Sequence, residues 1–296
     1  MEEIITLGCP ASGKTNYMAC SLAYISRYMS DLIRLTGNEM SFSNLVNQVQ
    51  EDLRDGNWLD KTPVKRDYLF ESKIQRSFWF AKKSKINLHD WAGEAFENLA
   101  DMGKWSMAPA DKKRFIEDLS NSKYFLVLLD ARCLTNKKLA GKYRKCLAGL
   151  QDNIERIRKT KRMYPRFVVA LSRSDMLESA RPWGIREMAK KVFTGKNKYC
   201  TWRTGSLNVD KIREDIRARF DVFFKYLQYN GFKHEIFPVT CIPVREHRIC
   251  DRKRGTIPSP EWEVKDMERN DQLAPFKWIF GNFFAFFPPK HLKTSA

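Results

Sequence analysis

The stretch Gly8-Cys9-Pro10-Ala11-Ser12-Gly13-Lys14-Thr15 constrains this chain more than any other. Its spacing is G-x-x-x-x-G-K-T, and it lies between two different periodicities. Ile4-Ile5-Thr6-Leu7 before it is a short apolar, β-leaning run. After it, Tyr17, Met18, Leu22 and Ile25 recur at helical spacing. Strand, glycine turn and helix in that order make a phosphate-binding loop. Gly8 and Gly13 let the backbone curl until successive N–H groups point inward at a phosphate. Lys14 adds a point charge on the β- and γ-phosphates, and Thr15 offers a hydroxyl to Mg²⁺ at the positive end of a helix. Pro10 has no N–H to give.

A second motif follows a second strand. Lys85-Ile86-Asn87-Leu88-His89-Asp90 runs straight into Trp91-Ala92-Gly93-Glu94. D-x-x-G alone is an ordinary turn pattern. Behind a phosphate loop and after a strand, it is the device that senses a γ-phosphate: the Asp holds the metal's water, and the Gly turns its N–H toward the phosphate.

The rest of the chain alternates in the same way. Leu32–Thr36 reads as a strand. Leu45, Val49 and Leu53 mark a helix that ends near Gly56. Residues 68–74 and 77–80 look like a strand pair. Phe125–Asp130 and Phe167–Leu171 are continuous apolar runs, the mark of strands buried on both faces. Between them lies a basic helix with Leu139, Leu147, Leu150, Ile154 and Ile157 inward. Pro182 and Trp183 open a short helix. Ile212, Ile216, Phe220, Phe223 and Leu227 predict one long amphipathic helix. Ile236–Ile242 is a last strand, Arg252–Pro260 a loop, and Ala274–Phe287 a closing aromatic helix. The expected fold class is α/β: a three-layer sandwich around a doubly wound, mostly parallel sheet. One domain over residues 1–296 is expected, with an insertion near 181–230 and the aromatic helix near 270–287.

These motifs, with one strand ending in Ser172-Arg173-Ser174-Asp175 and another in Thr240-Cys241-Ile242, stand in the order found in Ras-like, translation-factor-class P-loop GTPases. Most of the chain resembles them. Within that class it is most similar to bacterial double-GTPase-type domains, which carry G-x-P-x-S-G-K-T, then G-x-W-(few)-T, then D-x-x-G-E. Here these are Gly8–Thr15, Gly56-Asn57-Trp58 through Thr62, and Asp90–Glu94. The chain has a single P-loop. The resemblance implies a GTP/GDP site built from Gly8, Ala11, Ser12, Gly13, Lys14, Thr15, Asn16 and Gly93. It implies Mg²⁺ held by Thr15, Thr62 and, through water, Asp90. Asp175 would accept from N1 and N2 of guanine, Arg173 would lay its stem over the base, and the backbone near Cys241 would touch O6. Two residues depart from the class. Ser172 replaces an Asn whose amide bonds it cannot supply, which bears on guanine affinity and selectivity. Glu94 replaces the Gln that orients water, so hydrolysis catalysed by Lys14 and Glu94 is expected to be slow, or completed by a partner's arginine. Lys61, Lys65 and Arg66 are candidate cations in cis.

The formal net charge is +18, and the excess is concentrated. Residues 132–166 carry twelve Lys and Arg against Asp152 and Glu155, and a second basic stretch spans 181–203. Such a surface attracts nucleic acid, anionic membrane or an acidic protein. The seven cysteines are scattered without C-x-x-C spacing, which suggests neither zinc nor a disulfide framework and suits a cytoplasmic setting. No basic leader precedes an apolar stretch. The leading expectation is a GTP-binding switch with a protein activator or effector. A P-loop ATPase and a catalytically weak, basic-surfaced adaptor are the alternatives.

Overall fold

The computed structural model describes residues 2–28, 33–35, 51, 64–72, 85–100, 106–177, 208–239, 244–250, 253–258 and 272–283. In chain order the elements are β1 (Glu2–Gly8), α1 (Lys14–Tyr28), β2 (Ile33–Leu35), β3 (Lys65–Ser72), β4 (Lys85–Trp91), α2 (Gly93–Asn98) and α3 (Pro109–Asn121). Then come β5 (Tyr124–Asp130), α4 (Lys137–Thr160), β6 (Arg166–Ser172), α5 (Val209–Arg219), α6 (Asp221–Tyr229), β7 (His234–Pro238), β8 (Val244–Cys250), β9 (Lys253–Pro258) and α7 (Ala274–Phe283). The main sheet has seven strands in the order β2-β3-β4-β1-β5-β6-β7. β4, β1, β5, β6 and β7 run parallel, and β3 and β2 are antiparallel additions at one side.

Alternation along the strands makes the three layers. Tyr124, Leu126 and Leu128 of β5 join Ile4, Ile86, Leu88, Val168 and Ala170 under α1 and α7. Phe125, Val127 and Leu129 join Ile5, Leu7, Phe167, Val169 and Leu171 under α2 to α6. All seven residues of β5 are buried, and each large apolar side chain there contributes roughly 1.5–3 kcal/mol. On the first face, Tyr17 of α1 stacks on Phe276 of α7 at 6.1 Å and donates its hydroxyl proton to the Gln272 carbonyl at 3.0 Å.

The structure corrects several expectations. The long helix through Phe220 is two helices. Phe220 leaves helical geometry (φ −118°, ψ 36°), and Arg144 Nε caps the freed Arg219 carbonyl at 3.0 Å. The break lets Phe220, Phe223 and Phe224 all turn into the core. Part of the expected loop 252–260 is strand β9, paired with β8 from Val244↔Pro258 to Cys250↔Lys253. Once β8 offers an open edge, backbone pairing overrides the glycine content, and Pro258 sits at the strand's end, where a missing N–H matters least. β3 pairs with β2 and β4; its expected partner, 77–80, lies outside the described residues. So does the helix expected at 182–183, while of the one expected at 45–53 only Glu51 is described, and it is helical. The described part of the expected insertion, residues 208–230, forms α5 and α6, which pack in the same core as β5 and β6. Helix α3 went unread, although Pro109 at its start and Phe115 and Leu119 one turn apart are its signals.

Candidate functional site

The sheet register brings the ends of four strands together: Thr6 beside Asp90, Gly8 beside Leu128, and Asp130 beside Ser172. After Gly8 the chain turns sharply. Ser12 N donates to Cys9 O at 3.1 Å, and the backbone passes through the left-handed region at Ala11 (φ 59°) and Gly13 (φ 81°) before Tyr17 N donates to Gly13 O. At Ala11 this conformation costs roughly 1 kcal/mol, the kind of strain functional loops retain. Two buried polar atoms of this turn, Ser12 Oγ and Asn16 Oδ1, have no hydrogen-bond partner among the described residues.

Lys14 and Asp90 meet across the site. The ammonium donates to Asp90 Oδ1, with Lys14 5 % and Asp90 1 % exposed. Two charges this deep are tolerated because they pair. Thr15 follows at the amino end of α1. From the other side comes Gly93. A Cβ there would lie 2.4 Å from Pro10 N and 2.7 Å from Pro10 Cα. The loop after β4 therefore touches the phosphate loop backbone to backbone, and only glycine fits. Ala92 N is tied to Val64 O at 2.8 Å, and Glu94 stands exposed in the first turn of α2.

Across the phosphate loop, β6 ends in Ser172-Arg173. The Ser172 hydroxyl donates to the Ser12 carbonyl of the phosphate loop, with the Leu129 carbonyl 3.2 Å away. Ser172 thus tethers the loop without an amide. Arg173 adopts a left-handed backbone (φ 56°) and donates through Nη1 to Asp130 Oδ2 at 3.3 Å. Its Nε lies 3.8 Å from where a Gly13 Cβ would stand, so the guanidinium lies along the loop. Asp130, 1 % exposed, also takes the Arg132 backbone N at 2.9 Å, Arg132 Nε at 3.0 Å and Arg132 Nη2 at 2.6 Å. Asp130 had no assigned role in the sequence reading; its signal was an acid closing a wholly apolar strand. Asp175 falls in the turn Ser174–Leu177, where only its backbone is described. Thr62, Lys61 and Cys241 lie outside the described residues.

Residues 5–169, more than half the chain, match the family model Double-GTPase 1. The chain belongs to that family. Double-GTPase 1 is a P-loop GTPase family, so the chain is a GTP-binding protein of the P-loop GTPase kind. No curated protein matches it.

In this Double-GTPase 1 member, one of the three candidate cations in cis, Lys65, has its partners among the described residues. Lys65 is committed behind β4: it pairs with Asp118 at 2.9 Å and Asp67 at 3.0 Å, and lies 5.4 Å from the Trp91 ring centroid. Burial works to lower its pKa, but the hydrogen bonds to Asp118 and Asp67 outweigh it and raise it. Trp91 donates Nε1–H to Asp118 Oδ2 at 2.8 Å, and His89, buried, bonds Asp67 at 2.6 Å. This network fixes the strand that carries Asp90. Helix α4 shows Lys138, Lys145, Arg156 and Lys159 to solvent and packs its inner edge on α2. A Cβ on Gly149 would lie 1.9 Å from the Leu99 carbonyl, and Lys142 pairs with Glu97. None of the described helices is long and apolar enough to cross a membrane.

Proposed function

We propose that the chain is a Mg²⁺-dependent GTP-binding switch that hydrolyses GTP slowly and reaches full activity with a partner. The observation that carries this reading is the backbone contact of Gly93 with the phosphate loop, beside the Lys14–Asp90 pair. It joins the loop that would hold the β- and γ-phosphates to the loop that would sense the γ-phosphate. With nucleotide bound, Lys14 would serve phosphate oxygens in place of Asp90, and Asp90 would be free to hold the metal's water. Thr15 and Asp90 are hard oxygen donors, and Mg²⁺ takes one or two such groups along with phosphate and water. Bound there, the cation would neutralise charge on the phosphates. Ser12 brings a buried hydroxyl that a phosphate oxygen can satisfy.

At the base end, Arg173 supplies a flat cation held by Asp130, and Asp175 supplies the carboxylate that distinguishes guanine from adenine. Glu94 lies at the start of α2, where its carboxylate can accept from an attacking water but adds negative charge next to an anionic phosphate. Slow hydrolysis follows, with an arginine from a partner as the natural supplement. We place this activity in the cytoplasm. The outer face of α4 is the surface we assign to an anionic partner. Its charge suits nucleic acid or an anionic membrane, and such binding weakens with salt.

The test is binding of the purified chain to fluorescent GDP, a non-hydrolysable GTP analogue and the matching ATP analogue, with and without Mg²⁺. Guanine-selective binding that Lys14→Ala abolishes is expected. Equal or better adenine binding would replace this reading with the ATPase.

A further inference from the structure

The phosphate loop carries a thiol that its nucleotide chemistry does not use. Cys9, 2 % exposed, is the residue after Gly8, and Cys146, 1 % exposed, is in the middle of α4. Their sulfurs lie 3.8 Å apart and share a hydrogen bond. They are 137 positions apart in the chain, so no local spacing announces them. Both elements are anchored by other contacts. Cys9 is against Gly93, whose Cβ would lie 2.8 Å from the Cys9 carbonyl carbon. α4 is fixed on α2 through Gly149 and Lys142, and the Tyr143 hydroxyl accepts from Asp130 N at 3.0 Å.

We propose that Cys9 and Cys146 form a reversible disulfide on exposure to a peroxide, cross-linking the phosphate loop to α4 and weakening nucleotide binding. Within the pair, Cys146 is the more acidic thiol, because the Cys9 S–H bonds to its sulfur. Burial and the Glu97 carboxylate oppose that effect, and Lys142 supports it. The thiolate is the nucleophile in such chemistry. Cys146 sulfur attacks one peroxide oxygen, the O–O bond breaks, and hydroxide leaves, giving the sulfenic acid. Cys9 sulfur then attacks Cys146 sulfur. The S–S bond forms, the S–O bond breaks, and the Cys9 proton leaves with the hydroxide as water. Two thiols lose two electrons together, and one peroxide becomes two waters. A disulfide needs sulfurs at ~2.05 Å, so the two sulfurs must close by more than an ångström, and the closure pulls the phosphate loop and α4 toward each other. Both thiols are buried, so transient opening of the seam between loop and helix sets the rate. Cys133 is a contrast: burial pushes its thiol up to about 12.

The experiment treats the full chain with hydrogen peroxide and maps disulfides by mass spectrometry of unreduced peptides. Fluorescent GDP binding is measured before oxidation, after it, and after dithiothreitol. A Cys9–Cys146 cross-linked peptide is expected, with GDP affinity down by about tenfold or more, as an ångström of misplacement in such a geometry warrants, and restored by reduction. Cys146→Ala should keep its affinity before oxidation and lose the oxidative effect. Sulfenic or sulfinic adducts without the cross-link, or a cross-link between other cysteines, would overturn the proposal; so would a Cys9–Cys146 bond that leaves affinity unchanged. The second readout rests on the nucleotide-binding reading, but the peptide map does not. Failure to bind GDP before oxidation would therefore count against that reading, leaving the cross-link to be judged by mass alone.

Discussion

The two ends of the site are built by different means. At the phosphate end, charge and sterics act directly: Lys14 on Asp90 between two strand ends, and Gly93 against Pro10 where no side chain fits. At the end we propose for the base, everything hangs on one buried carboxylate and one hydroxyl. Asp130 holds two guanidiniums, and Ser172 ties the phosphate loop to β6. The phosphate end is rigid because its parts are buried and close-packed. The base end is half exposed, with Arg173 37 % and Arg132 45 % exposed at the side chain, and it depends on a carboxylate to position groups that water also solvates. Damage should therefore be severe and tied to folding at the first end, and milder and tied to affinity at the second.

The largest effect should come from Lys14→Ala. It removes the phosphate's cation and strands Asp90, so GDP binding should disappear and unfolding free energy should fall by about 3 kcal/mol. The double variant Lys14→Ala/Asp90→Ala should recover most of that stability in denaturant titration while still failing to bind. A double variant as unstable as the single would break the claim that pairing is what makes this burial tolerable. Gly93→Ala comes next. Its Cβ must push α2 off the phosphate loop, for roughly 1–3 kcal/mol of stability by thermal melting and a clear loss of turnover. Unchanged turnover would detach Gly93 from the switch.

How far the sequence reached follows the same division. Strand–G-x-x-x-x-G-K-T–helix and strand–D-x-x-G are local patterns, and Gly8–Thr15 and Asp90–Gly93 stand where those patterns place them. The buried strands β5 and β6 were legible because both faces are apolar. What escaped was pairing between distant residues. Asp130 gains its role from Arg173, 43 positions away, and Lys65 pairs with Asp118, more than fifty positions on. The break at Phe220 escaped because Ile212 to Leu227 keeps helical spacing straight through it; the break is set by tertiary packing and the Arg144 cap. Ser172 was read for the amide it lacks, when its hydroxyl reaches the loop carbonyl directly.

Smaller effects should separate the two ends further. Asp130→Asn weakens the grip on Arg173 while leaving both arginines access to water. Guanine affinity should fall by about 1.5–3 kcal/mol, the worth of a hydrogen bond to a charged group, measured as a KM or Kd change, with stability less affected than in Gly93→Ala. A stability loss equal to that of Gly93→Ala would show that the base end is as much a part of the core as the phosphate end. Smallest in stability is Glu94→Gln, an exposed change expected within about 0.5 kcal/mol of the parent in melting. It should alter single-turnover hydrolysis several-fold, since it removes a negative charge next to the γ-phosphate. No change in hydrolysis would remove Glu94 from the catalytic set.

β1 is made long before its two neighbours: residues 2–6 pair with 86–90, and residues 4–8 with 124–128. A ribosome must therefore extrude an apolar strand with two unsatisfied edges and synthesise well over a hundred residues before the second edge can close. Through that interval the nascent chain carries its phosphate loop as unstructured polypeptide. The phosphate loop follows a strand whose second edge closes only on β5, so guanine nucleotide should rescue only chains that are already complete through β5. Pauses or truncations upstream of that strand should leave chaperone clients that no amount of GTP protects.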